Sequence, residues 1–108
     1  MPDVVVDAHH HLWVRARTPQ DWVDPATMAP LDADFPVQDV PAAAHGVAAT
    51  VVVQTVSRWD ETVDLLAPAA SPAGRGARLA GVVGWADLFA PDLAARLDAL
   101  RAGPGGDR

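Results

Sequence analysis

The sequence predicts an α/β fold built on a parallel sheet, on three observations. Short apolar runs begin near residues 4, 50 and 79, at roughly even rhythm along the chain. The runs are rich in valine and nearly continuous, as in strands buried on both faces. Between and after them lie segments with helix-start signals or helical spacing, and strands that alternate with helices join by right-handed crossovers and lie parallel.

Val4-Val5-Val6 is the first strand. A polar, proline-rich stretch runs from about Arg15 to Pro36, with Trp13 and Trp22 beside and inside it. It is long for a structureless connection, and loops of that length in compact domains are commonly functional. Val37 to His45 reads as a short helix, interrupted by Pro41, with Gly46 suited to its C-terminal end. His45 is then a C-terminal cap or a surface residue. Thr50-Val51-Val52-Val53-Gln54 is the second strand. Ser57 before Asp60 and Glu61 reads as a side-chain cap with acids in the first turn. Val63, Leu65 and Leu66 give that helix its apolar stripe before Pro68. Ser71 to Arg78 is a Gly/Pro/Arg-rich loop, and Leu79 to Trp85 the third strand. Pro91 fits the first turn of a last helix, along which Leu93, Leu97 and Leu100 recur at helical spacing. Gly103-Pro104-Gly105-Gly106 ends it.

A parallel sheet needs both faces covered, or closure into a barrel. Three strands cannot close one, and a complete eight-unit barrel takes about 250 residues, against 108 here. The pattern therefore describes either a small three-layer sheet or the opening third of a barrel. In the second case two strand edges and one sheet face lie open. Such a piece is expected to be marginal, prone to aggregate, or dependent on a partner.

Composition narrows the partners. The formal net charge is −6 and the pI ≈ 4.8, which argues against nucleic acid or an anionic membrane surface. All 8 basic side chains are arginine. There is no cysteine, hence no disulfide framework and no thiolate metal site. The N-terminus has no basic segment leading into an apolar core, so no signal peptide is expected. No apolar run approaches the roughly 20 residues of a bilayer span. A soluble cytoplasmic protein is the expectation.

The chemistry concentrates in Asp7-Ala8-His9-His10-His11-Leu12-Trp13, directly after the first valine run. Side chains alternate faces along a strand, so His9 and His11 share a side and His10 points opposite. Two imidazoles side by side at the C-terminal end of a strand form half of a divalent metal site, and in a parallel barrel that end carries the chemistry. Asp7 shares their parity and could orient an imidazole. Spacing alone leaves open an ordinary pair of surface or core histidines. The run is internal, three residues long and embedded in strand-like sequence, unlike an engineered tag.

Val6-Asp7-Ala8-His9-His10-His11-Leu12-Trp13 resembles the opening Asp-x-His-x-His-x-Trp motif of the amidohydrolase 2 branch of the amidohydrolase superfamily, which includes fuconolactonase-like and pyrone-dicarboxylate-lactonase-like hydrolases. Val51-Val52-Val53-Gln54 resembles the second strand of that branch, which ends in Gln. Gly81-Val82-Val83-Gly84-Trp85-Ala86-Asp87-Leu88 resembles its third strand. Ala90-Pro91-Asp92 and the leucine-rich helix resemble the segment that the branch places after its third strand. The likeness covers nearly all of residues 1–108, in order. It implies the first three βα units of a (β/α)8 TIM barrel that hydrolyses lactones or related carboxylic esters with an activated water. His9 and His11 take the two first-strand metal positions, for a divalent ion of the zinc or manganese type, and catalysis without a bound metal stays open. Gln54 and Trp85 would line the substrate pocket, with backbone satisfaction an equal use for Gln54 and plain packing an equal use for Trp85. Asp87 reads as a turn or helix-entry residue.

The rest of that family's site is missing from this sequence. That family completes its site with further histidines on later strands and a late Asp as general base, and no segment after Asp87 offers a histidine. The chain by itself is therefore expected to be a truncated, inactive portion of such a domain. Two other readings stand beside it: a metal-dependent decarboxylase of the same branch, and a non-enzymatic βα module that binds a partner or a metal through its histidines.

Overall fold

A computed structural model describes residues 3–108. Three five-residue strands form one sheet: β1 (Val6–His10), β2 (Ala49–Val53) and β3 (Leu79–Val83). Their order is β1-β2-β3 and both pairings are parallel. Helix α1 (Trp59–Leu66) comes after β2, α2 (Pro72–Gly76) leads into β3, and α3 (Leu93–Ala102) comes after it. The parallel βα rhythm is that of the first units of a TIM barrel.

Alternation sets which side of the sheet is covered. Thr50 and Val52 of β2 are buried, while Ala49, Val51 and Val53 are only half-buried. Val52 is fully buried, at 0 % exposure, in a cluster with Leu12, Leu65, Ala69 and Leu79. Val37, Val40 and Val82 pack against it. The Thr50 hydroxyl, equally buried, donates to the carbonyl of Ala77 at 3.0 Å. Among the described residues the opposite face carries no such layer. The outcome is a slab of 46 × 42 × 22 Å with a radius of gyration of 14.9 Å, where a compact domain of this length has about 13 Å. Its accessible surface of 6782 Å² exceeds the roughly 5,700 Å² of a compact monomer of that mass. An uncovered sheet face and two free edges contribute to that excess of about 1,000 Å².

Several expectations need correcting. The first strand is displaced toward the histidines, running Val6–His10 rather than over Val4-Val5-Val6. It is not buried on both faces: Val4, Val5 and Val6 are 78 %, 50 % and 50 % exposed, because β1 is an edge strand with one uncovered face. The segment from Val37 to His45 is two separate 3-10 turns, Val37–Asp39 and Ala43–His45. Pro41 is the cause, since it lacks an N–H and holds Val40 extended (φ −72°, ψ 116°). Gly46 ends the second turn in the left-handed region (φ +66°), where only glycine rests without strain. Ser57 does not cap α1; Arg58 stands at that position without a side-chain bond. The loop expected over residues 71–78 contains α2. Ser71 Oγ accepts from the Gly74 N–H at 3.1 Å and Pro72 supplies the first helical residue, a pairing that favours a helix start. The third strand stops at Val83, two residues short of Trp85. Among the described residues, no helix is long and apolar enough to cross a membrane.

A candidate metal centre at the mouth of β1

β1 and β2 do not pair evenly. Asp7 aligns with Thr50 and His10 with Val52, so β1 spends three steps where β2 spends two. Such a bulge re-aims side chains at a strand end. Asp7 stabilises it locally, because its carboxylate accepts the backbone N–H of His9 at 3.2 Å. Leu12, which shares parity with His10, joins the buried core, and His9 and His11 therefore share the open face with Val51 and Val53.

The two rings meet edge to face, with centroids 4.9 Å apart and planes at 81°. Their Nε2 atoms lie 3.3 Å apart. His11 Nδ1 lies 2.9 Å from the carbonyl oxygen of Val53. A carbonyl only accepts, so Nδ1 of His11 is the protonated nitrogen, and in the neutral ring the Nε2 lone pair is left free. That lone pair faces His9 Nε2, which can either donate to it or share a cation with it.

The arrangement fits a metal ion. Two Zn–N bonds of about 2.0–2.1 Å at the tetrahedral angle put their nitrogens about 3.3–3.4 Å apart, the separation found here. A histidine whose second nitrogen donates to a backbone carbonyl is the usual form of a metal ligand. The set is half-built, however. Among the described residues no group of three or more His, Asp, Glu or Cys side chains converges, whereas a catalytic zinc commonly takes three protein ligands.

The other residues singled out in the sequence are distributed around this pair. Asp7 bonds to backbone, and the group that orients an imidazole is the Val53 carbonyl instead. His10 is half-buried on the covered side with its Nε2 unpartnered among the described residues. Desolvation lowers its pKa, against the pull of Asp7 and with the push of His11 and His9. Gln54 sits one residue past β2, with its backbone N–H donating to Val83 at 2.8 Å. Trp85, two residues past β3, is held by its backbone: Thr62 Oγ1 accepts from its N–H and donates to its carbonyl, each at 2.7 Å. It also borders a cleft of about 260 Å³ between α1 and α3, with Leu97 and Leu100. His45 lies in its 3-10 turn on the surface, and Asp87 accepts the N–H of Phe89 in a turn.

Two groups of consequence were missed at the sequence level. Glu61, expected as an acid of the first helical turn with no inward role, is 2 % exposed. Its carboxylate turns inward and accepts the backbone N–H groups of Thr55 and Val56 and the Thr55 hydroxyl. Next to it, Thr62 holds Trp85. Consecutive residues of α1 thus fasten the ends of β2 and β3. A buried Glu looks like an exposed one in sequence, and the only signal was an acid a few residues beyond a strand end. The second group is the chain Thr55–Gln20–Trp22. Gln20 Nε2 donates to Thr55 Oγ1 at 2.8 Å, and Trp22 Nε1 donates to Gln20 Oε1 at 2.6 Å. It ties the long β1–β2 connection to the mouth of β2. The connection is further closed by a two-way backbone bridge between Trp13 and Phe35.

Parallel βα units with a His-x-His pair at the mouth of the first strand match the opening units of a parallel barrel. Comparison with known proteins extends the match. An L-fucono-1,5-lactonase of Burkholderia ambifaria is 37 % identical over 101 residues, a match covering 92 % of this chain and 33 % of that protein. An L-fucono-1,5-lactonase of Burkholderia multivorans is 36 % identical over 98 residues, covering 85 % and 30 %. Crystal structures of an amidohydrolase from Burkholderia multivorans superpose at 35 % identity. The form with bound HEPES gives a TM-score of 0.74 and covers 92 % of this chain and 33 % of that one. The form with bound zinc gives 0.72 and covers 89 % and 33 %. No family model matches the chain. In sequence and in fold, this chain matches the opening third of an amidohydrolase barrel, and it spans about a third of the length of its curated relatives.

Proposed function

We propose that this chain supplies the first βα units, and the first two metal ligands, of a lactone-hydrolysing amidohydrolase. The observation that carries the reading is the convergence of His9 and His11 Nε2 to 3.3 Å, with the His11 ring locked by Val53. A divalent cation held by this pair would supply Lewis-acid polarisation of a lactone carbonyl and an acidified water. The side chains prepare for it. The Val53 carbonyl fixes the His11 tautomer and frees its Nε2 lone pair, His9 Nε2 joins it as a ligand when unprotonated, and Gln54 and Trp85 stand just past the neighbouring strands, at the barrel end where substrate binds. The zinc-bound neighbour and the two lactonase relatives support the metal and the substrate class respectively.

The remaining ligands and the general base lie outside these residues, so the 108-residue chain alone is expected to show no lactone hydrolysis. The test is a chimera in which residues 3–102 replace the matching third of the Burkholderia ambifaria lactonase. It should hydrolyse a sugar-acid lactone in a zinc- or manganese-dependent way. His9→Ala and His11→Ala should each lower kcat/KM by at least about a hundredfold, in line with losing a direct ligand rather than its outer support. A folded chimera without turnover, or one indifferent to both substitutions, would refute the reading.

A further inference from the structure

We propose that Glu61 is a positioning residue for His11, acting through the end of β2. The carboxylate lies in the protein interior, where an ionised group persists only when surrounded by donors. Its donors come from two consecutive residues. The Thr55 N–H lies 2.8 Å from Oε1 and 3.1 Å from Oε2, the Val56 N–H lies 3.1 Å from Oε1, and the Thr55 hydroxyl also donates to Oε2. Thr55 is two residues beyond Val53, whose carbonyl receives His11 Nδ1–H. Between them Gln54 is pinned to β3 through its backbone N–H. The stretch from Val53 to Val56 is thus held by β3 on one side and by Glu61 on the other.

Without the carboxylate, the peptides after Gln54 lose every side-chain acceptor that fixes them. The Val53 carbonyl is then free to tilt, and the His11 ring to turn or change tautomer. The same carboxylate reaches the β1–β2 connection, because the Thr55 hydroxyl that it receives also accepts from Gln20. One buried acid therefore sets the aim of a metal-directed nitrogen and the anchorage of the loop beside it. The metal part rests on the function proposed above; the tautomer part does not.

The experiment has two readouts on the 108-residue chain. Long-range nitrogen–proton NMR at about pH 8, where an ordinary imidazole is neutral, reports the His11 tautomer. Zinc competition against a chelator reports affinity. Wild type should hold His11 as the Nδ1–H form. Glu61→Gln replaces an acceptor by an N–H donor facing Thr55, and should mix the tautomers and weaken zinc about tenfold, the lower range for losing a ligand's support. Leu65→Val, in the same helix but outside the network, should lower the melting temperature and move neither readout. If Glu61→Gln retains the wild-type tautomer and affinity, or if Leu65→Val shifts both equally, the positioning role is wrong. Should Glu61→Gln fail to fold, Glu61→Asp withdraws the same oxygens by one methylene and is judged by the same criteria. A wild-type chain that ignores zinc overturns the metal reading, and the tautomer comparison still decides the role of Glu61.

Discussion

The two faces of the sheet are built from the same valine-rich strands and are in opposite states. On one face Val52 is wholly enclosed with Leu12, Leu65, Ala69 and Leu79, and the buried acid Glu61 has a donor for each oxygen. On the other, Val6 and Val83 are 50 % and 52 % exposed, and two imidazole nitrogens face each other with no third ligand among the described residues converging on them. The contrast separates what these residues stabilise by themselves from what they offer. The covered face contains the stability of the piece, and the open face contains its chemistry.

Core substitutions should break this contrast most strongly. Leu65→Ala removes buried methyl groups from the covered face and should cost about 2–5 kcal/mol. Val6→Thr on the open face should stay within about 0.5 kcal/mol. Urea denaturation of both variants gives the comparison directly. Equal losses would mean that the open face is packed in solution, by self-association or otherwise, and sedimentation would then reveal the partner.

A smaller effect is expected where α1 fastens the strand ends. A Cβ added at Gly84 would lie 2.5 Å from Thr62 Cγ2 and 2.8 Å from its Oγ1. Gly84→Ala should therefore cost about 1–3 kcal/mol by overpacking. Adding Thr62→Ser, which deletes Cγ2 but keeps the hydroxyl bound to Trp85, should recover part of the loss, so that the two changes are not additive. Thr62→Val keeps the shape and removes the hydroxyl instead. It leaves the N–H and carbonyl of Trp85 without that partner, for a loss of about 1–3 kcal/mol. Full additivity of Gly84→Ala with Thr62→Ser would show that the Thr62 methyl is not the obstacle.

This division also explains what was legible in the sequence. The three strands announce themselves because β-branched runs have few other uses, and the covered face can be read from where Leu65, Leu79 and Val52 fall. The pairing of His9 with His11 comes from strand parity. Features made of backbone leave no trace in residue identity: the bulge that spends an extra residue between Asp7 and His10, and the Val53 carbonyl that holds His11. Glu61 was legible as a helix-start acid but not as a buried one, since its burial depends on where β2 ends. The α2 turn was readable from Ser71-Pro72 and was obscured by the glycines around it. Pro41 was readable too, and its effect on the turns around it was larger than the apolar pattern of residues 37–45 suggested.

The smallest effect lies between the two faces, in the long connection from β1. Asp34 accepts both the backbone N–H and the Nε of Arg15, at 2.9 and 3.1 Å, while Asp32 takes the other side of the guanidinium at 2.9 Å. The Arg15 backbone N–H, and then its side chain, hold the Asp34 carboxyl below the ordinary value of 3.8. A carboxyl lowered by folding binds fewer protons folded than unfolded, so the stability it lends is complete above its unfolded pKa and fades as the pH falls through the lower folded one. The groups are exposed, so the effect is minor and weakens further with salt. Trp13 and Trp22, in edge contact at 6.1 Å, report on this connection by fluorescence. Acidification from about pH 5 to about pH 2 should loosen it in wild type. Asp34→Asn should start looser and show a shallower acid response in that interval. Identical acid profiles for the two proteins would show that the connection hangs on Gln20 and the Trp13–Phe35 bridge alone, and would assign its stability wholly to the covered side.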